Sequence, residues 1–190
     1  MNVKIRLATI ADVPCLQALI RDSVSTLSAE YYSPTQIASS LSQIFGVDTQ
    51  LILDGTYFIA EVEDQIAGSG GWSKRKTLFG GDQAKAGGGE PLINSSHHPM
   101  ADALLDPATD AARIRAFYVH PKWSRKGIAS RMLKSCEDAA RAEGFRNVEL
   151  AATLPGLPFY LAHGYQQGEE ILIQMKDGES LSTFRMTKSL

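Results

Sequence analysis

The sequence predicts one mixed α/β (α+β) domain, and three observations carry that expectation. About seven runs of strand length alternate with segments of helical period, two pairs of those runs are set up as hairpins, and nothing repeats internally. A chain of 190 residues with 44% hydrophobic content has enough apolar material for one sizeable core, so residues 1–190 are read as a single domain.

The elements follow in order. Residues 3–8 alternate apolar and polar side chains as a half-buried strand does. Thr9-Ile10-Ala11-Asp12 then reads as a capping box, with a helix behind it that turns Val13, Leu16, Ile20 and Val24 inward. Residues 27–32 form a joint. Ser33-Pro34-Thr35-Gln36 repeats the start signal with Pro at the first helical position, which predicts a second helix over 34–44. Residues 57–62 and 65–72 are apolar runs parted by Glu63-Asp64, the pattern of an antiparallel hairpin. Gly68, Gly70 and Gly71 in the second arm do not make a dinucleotide-binding G-x-G-x-x-G, so they point to close packing or a bulge.

From 74 to 110 periodicity is lost and Gly and Pro accumulate. Loops beyond roughly 12 to 15 residues are uncommon unless functional or disordered, so this long flexible insertion is expected to be either a flap over the active site or disorder. Adjacent His97 and His98 lack a nearby Cys or carboxylate pair, and no metal is assigned to them. Further on, a strand covers 148–151, and runs at 171–175 and 181–186 flank the turn Asp177-Gly178 as a second hairpin.

The most informative stretch is Phe117-Tyr118-Val119-His120-Pro121-Lys122-Trp123-Ser124-Arg125-Lys126-Gly127-Ile128-Ala129-Ser130, which passes from an apolar strand through a basic turn into a helix. Ile128, Met132, Leu133, Cys136 and Ala140 form one apolar stripe, leaving Arg131, Lys134, Glu137 and Asp138 to water. The first N–H groups of such a helix have no partner within it, and its dipole favours an anion there by roughly 0.3 to 1 kcal/mol per contact. Gly127 lets a phosphate approach the backbone, Ala129 and Ser130 stay small, and Arg125 and Lys126 supply charge. A phosphorylated carrier suits this site. The P-loop pattern G-x-x-x-x-G-K-[ST] is absent, which argues against a nucleotide-binding switch.

The window Ser124-Arg125-Lys126-Gly127-Ile128-Ala129 resembles motif A of the GNAT superfamily of acyl-CoA-dependent N-acetyltransferases, written [QR]-x-x-G-x-[GA]. Ser124 departs from it. Pro158-Phe159-Tyr160-Leu161-Ala162-His163-Gly164-Tyr165 is similar to the family's motif B, F-Y-x-x-x-G-[FY], and follows in the family's order. The resemblance implies a GNAT-type, mainly antiparallel central sheet of about seven strands flanked by helices and splayed at the cofactor site. It further implies acetyl-CoA as cosubstrate, held by the strand Phe117, Tyr118 and Val119 and by the turn Arg125, Lys126, Gly127, Ile128, Ala129 and Ser130. Tyr160 stands where the family commonly has the tyrosine that protonates the leaving thiolate. A phenol of pKa about 10 is protonated at neutral pH and suits that task. Tyr31 and Tyr32 fall where the family shapes its acceptor pocket.

The expected activity is therefore direct acetyl or short acyl transfer to a primary amine of a small molecule or peptide. The alternative is a non-catalytic acyl-CoA sensor or interaction domain, for which Ser124, and Pro155 where many relatives have Asn, leave room. The general base is open among Glu61, His120 and Glu149, and Arg113 and Arg115 share a strand face that, if inward, favours an anionic acceptor. The net charge of -2 gives no footprint for nucleic acid or an anionic membrane. No run reaches the ~18 apolar residues of a membrane span, and no signal-peptide core follows residues 1–6, so a cytoplasmic protein is expected. Cys15 and Cys136 have no metal-ligand spacing; Cys136 reads as a core residue, and no disulfide is expected. A homodimer is compatible with all of this.

Overall fold

The computed structural model describes residues 1–82, 84 and 103–190. Their elements run β1 (Lys4–Leu7), α1 (Val13–Leu27), α2 (Pro34–Gln43), α3 (Thr49–Leu53), β2 (Tyr57–Val62), β3 (Gln65–Ser73) and β4 (Ala112–Val119). Then follow α4 (Ile128–Ala142), β5 (Asn147–Thr153), α5 (Leu157–Ala162), β6 (Gln166–Gln174) and β7 (Ser180–Ser189). One seven-stranded sheet results, in the order β1-β2-β3-β4-β5-β7-β6. Every neighbouring pair is antiparallel except β4 and β5.

Local chemistry explains the opening. Both capping boxes form: Asp12 accepts from the Thr9 N–H at 2.8 Å, and Ser33 accepts from the Gln36 N–H at 3.1 Å while Gln36 accepts in return at 2.9 Å. Leu16, Ile20 and Val24 are buried, and Val13 is half-buried. The hairpin turn places Glu63 and Asp64 at φ 52° and 58°, the left-handed pair that matches the twist of the strands it joins.

The sheet separates two apolar layers. Tyr57 and Ile59 of β2 face α1 through Leu16, Leu19 and Ile20, whereas Ala60 and Val62 face α4 through Ile128 and Met132. All five stripe residues of α4 are at most 1% exposed. A Cβ on Gly68 would lie 2.9 Å from the Met132 methyl and 3.1 Å from Ile128, so the missing side chain lets α4 settle onto β3. The structure departs from expectation at α3 and β6, and it adds the helix α5 over the motif segment. The short α3 carries too few residues to show a period, and β6 begins at Gln166, well before its apolar run, because its first five residues are an exposed polar edge.

The stems of the 74–110 segment are ordered against the body. Leu105 N–H donates to the Lys74 carbonyl at 2.8 Å, and Arg75 pairs with Asp54 at 2.7 Å. His97 and His98 lie outside the described residues. No helix among the described residues is long and apolar enough to cross a membrane, and none of their His, Cys, Asp and Glu groups could hold a metal ion.

Candidate active site

β4 and β5 pair only at Ala112 with Val148 and at Arg113 with Glu149, and then diverge. From Ile114 onward the β5-facing rim of β4 therefore presents backbone N–H and C=O groups with no strand beside them among the described residues. Opposite, β4 pairs with β3 through a bulge: Gly71 faces Arg115 and Ser69 faces Tyr118, and Ala116 takes up the extra residue at φ 55°. The divergence opens a cleft of about 720 Å³.

Its walls gather most of the residues singled out in the sequence. Phe117, Tyr118, Val119, Arg125, Gly127, Ile128, Ala129, Ser130 and Tyr160 line it. Lys126 does not; its ammonium lies 4.7 Å from the centre of the Trp123 ring, next to Lys122 at 4.8 Å. Burial of Trp123 fixes the turn from beneath, and the two cations sit over its electron-rich face.

The turn carries left-handed residues at Arg125 (φ 58°) and Gly127 (φ 78°), backbone geometry that directs N–H groups into anion-binding concavities. Arg131 is the first residue of α4 to close a bond back onto Gly127, at 3.2 Å. The N–H groups of Ile128, Ala129 and Ser130 consequently have no acceptor within the helix, and Gly127 offers no side-chain cap. His163 occupies an unspecified position of the segment Phe159 to Tyr165, where no sequence signal marks it. Its Nδ1 lies 2.8 Å from the Phe159 carbonyl, an acceptor only, so Nδ1 carries the proton, and in the neutral ring Nε2 accepts from the Ser130 hydroxyl at 2.9 Å. His163 therefore sets the rotamer of a side chain on the cleft wall.

Tyr160 stands across the cleft on α5. Its ring is wedged edge-on between Phe159 (5.1 Å), Tyr165 (5.4 Å) and Phe117 (6.4 Å). Burial raises its pKa well above the ordinary phenol value, with Cys136 adding to the shift, so the hydroxyl stays a donor. That hydroxyl has no hydrogen-bond partner among the described residues.

The base candidates lie elsewhere. Glu149 is held by Arg113 and, at 3.0 Å, by Arg185; Glu61 is held by Arg6 at 2.8 Å; His120 Nδ1 accepts from the Lys122 N–H at 3.1 Å. None of the three lines the cleft. Arg115 does, but its guanidinium sits 2.8 Å from Asp48 and also donates to the Gly80 carbonyl, so its charge is compensated within the wall. Tyr31 is exposed on the cleft, while Tyr32 is buried, donating to Ser182 O at 2.7 Å and accepting from Leu154 N–H at 2.8 Å. Tyr32 thus ties the α1–α2 joint to the ends of β5 and β7. Phe45, Leu78 and Phe79, which the sequence did not mark, complete the wall.

A cleft between diverging parallel strands, with a bulged strand on one side and an open helix start at its mouth, agrees with what comparison of the sequence finds: residues 21–165 match the acetyltransferase (GNAT) family. The chain belongs to the GNAT acetyltransferase family. Family membership supports acetyl transfer from an acyl-CoA as its general activity. A GCN5-related N-acetyltransferase from Rhodopseudomonas palustris is 20% identical and superposes with a TM-score of 0.71, covering 100% of this chain and 97% of its own. The PaiA N-acetyltransferase of Thermoplasma acidophilum, in complex with coenzyme A, is 16% identical at a TM-score of 0.64, with 100% of both chains covered. The ribosomal-protein-alanine N-acetyltransferase of Brucella melitensis is 17% identical at 0.60, covering 98% of this chain and 99% of its own. These likenesses establish the GNAT fold. Comparison with curated proteins found no match.

Proposed function

We propose that this GNAT protein transfers an acetyl, or another short acyl, group directly from its CoA thioester to a primary amine of a small molecule or peptide. The observation that carries the reading is the meeting, in one cleft, of the free rim of β4, the unpartnered start of α4 and the buried Tyr160 hydroxyl. The diphosphate of acetyl-CoA lies against the N–H groups of Ile128, Ala129 and Ser130 with Arg125 beside them. The pantetheine arm runs along Phe117, Tyr118 and Val119 as an added strand, its amides bonding to β4.

The amine nitrogen attacks the thioester carbonyl, the carbon–sulfur bond breaks, and the departing thiolate takes the Tyr160 proton. A backbone N–H on the bulged part of β4 supports the oxyanion. A lysine-like amine has a pKa of about 10.4 and must lose a proton before it attacks. No carboxylate or imidazole lines the cleft among the described residues, so the amine binds neutral; the proton its nitrogen loses as the amide forms passes to water, and water returns a proton to the Tyr160 phenolate.

Thiol release from acetyl-CoA, followed with and without a panel of primary amines, tests the reading. Amine-dependent release with one acetylated amine per thiol is the expected result. Acetyl-CoA binding with no amine-dependent release would leave a non-catalytic acyl-CoA-binding domain instead.

A further inference from the structure

The cleft lining also includes residues that belong neither to β4 nor to the start of α4: Val24, Leu27 and Tyr31, from α1 and its exit, together with Phe45, Leu78 and Phe79. Phe45 meets Tyr118 edge-on at 6.3 Å, which continues the aromatic lining from β4 outward.

The Leu78–Phe79–Gly80–Gly81 strap is fixed rather than draped. Gly81 N–H donates to Ile44 O and Asp82 N–H to Val47 O, each at 2.9 Å, and the Asp82 carboxylate accepts from Thr49 N–H and Oγ1, each at 3.1 Å, at the start of α3. A Cβ on Gly81 would fall 2.7 Å from Gly46 O, so strap and α2–α3 connection touch backbone to backbone. Beneath them Arg115 grips Gly80 O while its own charge is met by Asp48, the two side chains being 4% and 1% exposed. That pair stiffens the wall and adds no net charge to it.

We propose that the acceptor is a monoamine carrying a compact apolar, preferably aromatic, body, seated between Tyr31 and the Phe79 strap. The inference rests on the acetyltransfer reading above. A wall of four aromatic and aliphatic types with an internally neutralised ion pair rewards an apolar body. Among the described residues it gives neither a carboxylate for a second ammonium nor an unsatisfied cation for an acidic acceptor.

The test compares kcat/KM for 2-phenylethylamine, spermidine and L-glutamate with saturating acetyl-CoA, in the wild type and in Phe79→Ala and Phe79→Leu. The expected wild-type result is a preference of tenfold or more for 2-phenylethylamine. Phe79→Ala raises its KM about tenfold with the KM for acetyl-CoA unchanged, and Phe79→Leu recovers part of the loss. An unaltered acetyl-CoA-induced shift in Tm shows that each variant is folded. Spermidine or glutamate used as well as 2-phenylethylamine, or an unchanged KM in a folded Phe79→Ala, overturns the acceptor assignment alone. Absence of turnover with every amine overturns the acetyltransfer reading with it.

Discussion

Replacing Tyr160 by Phe separates chemistry from architecture in one atom. The ring keeps its edge-on contacts with Phe159, Tyr165 and Phe117, and the deleted hydroxyl leaves no orphan behind, because none of the described residues bonds to it. Stability should consequently change by less than about 1 kcal/mol, within the usual span for a change that opens no cavity and strands no polar group. In the proposed reading acetyl-CoA binds through β4 and the start of α4, so its KM should move less than threefold. Turnover is another matter. General acid catalysis contributes roughly 100- to 10,000-fold, or about 3 to 5 kcal/mol of barrier, and Tyr160 carries the only dissociable side-chain proton that α5 brings to the described cleft. Stopped-flow or steady-state thiol release gives kcat; urea unfolding gives stability. A thioester whose thiol has a lower pKa needs its proton less, so the gap between wild type and Tyr160→Phe should narrow with such a donor. A kcat within threefold of wild type, with stability unchanged, would refute the role given to Tyr160.

Three other outcomes follow from the geometry. Gly70→Ala would place a Cβ 2.6 Å from the Phe117 ring, so overpacking should lower stability by about 1 to 3 kcal/mol and raise the KM for acetyl-CoA by displacing the strand that lines the cleft, as unfolding and kinetic titrations would show. His163→Ala removes the 2.9 Å partner of Ser130 and should raise the KM for acetyl-CoA several-fold while kcat changes little; calorimetric titration with CoA reads the same loss without turnover. In pH profiles, kcat/KM should climb as the amine loses its proton; burial disfavours the charged phenolate and lifts the Tyr160 pKa, so the acid form persists and no fall should set in below about pH 10.

Much of this site is written in local sequence, and the reasons are particular. The stripe of α4 shows because five buried residues recur at helical spacing over more than three turns, and the turn proposed to bind phosphate shows because Gly127 and the small residues after it stand at the start of that stripe. The capping boxes of Thr9 and Ser33 are contained within four residues each. The proposed acceptor wall is not legible in this way. Phe45, Leu78 and Phe79 look like stray apolar residues in tracts without period, and only the meeting of the α2–α3 connection with the strap makes them a wall. The partner of Thr49 at the start of α3 is Asp82, 33 positions away, which no window of sequence can reveal. Arg113 and Arg115 follow strand alternation, yet their partners Glu149 and Asp48 come from other elements, so a pair that suggests an anion site is in fact neutralised from within.

The parting of β4 from β5 leaves a seam through the middle of the sheet. Across it the ladder has two residue pairs, supplemented by the packing of α4 and by the Tyr32 phenol reaching from the first half of the chain to Leu154 and Ser182. Whatever lodges there and bonds to the bare rim of β4 acts as a temporary eighth strand. Occupancy and rigidity then rise together: amides bordering the seam exchange slowly when it is filled and quickly when it is empty, and the melting point of the whole molecule becomes a readout of ligand concentration.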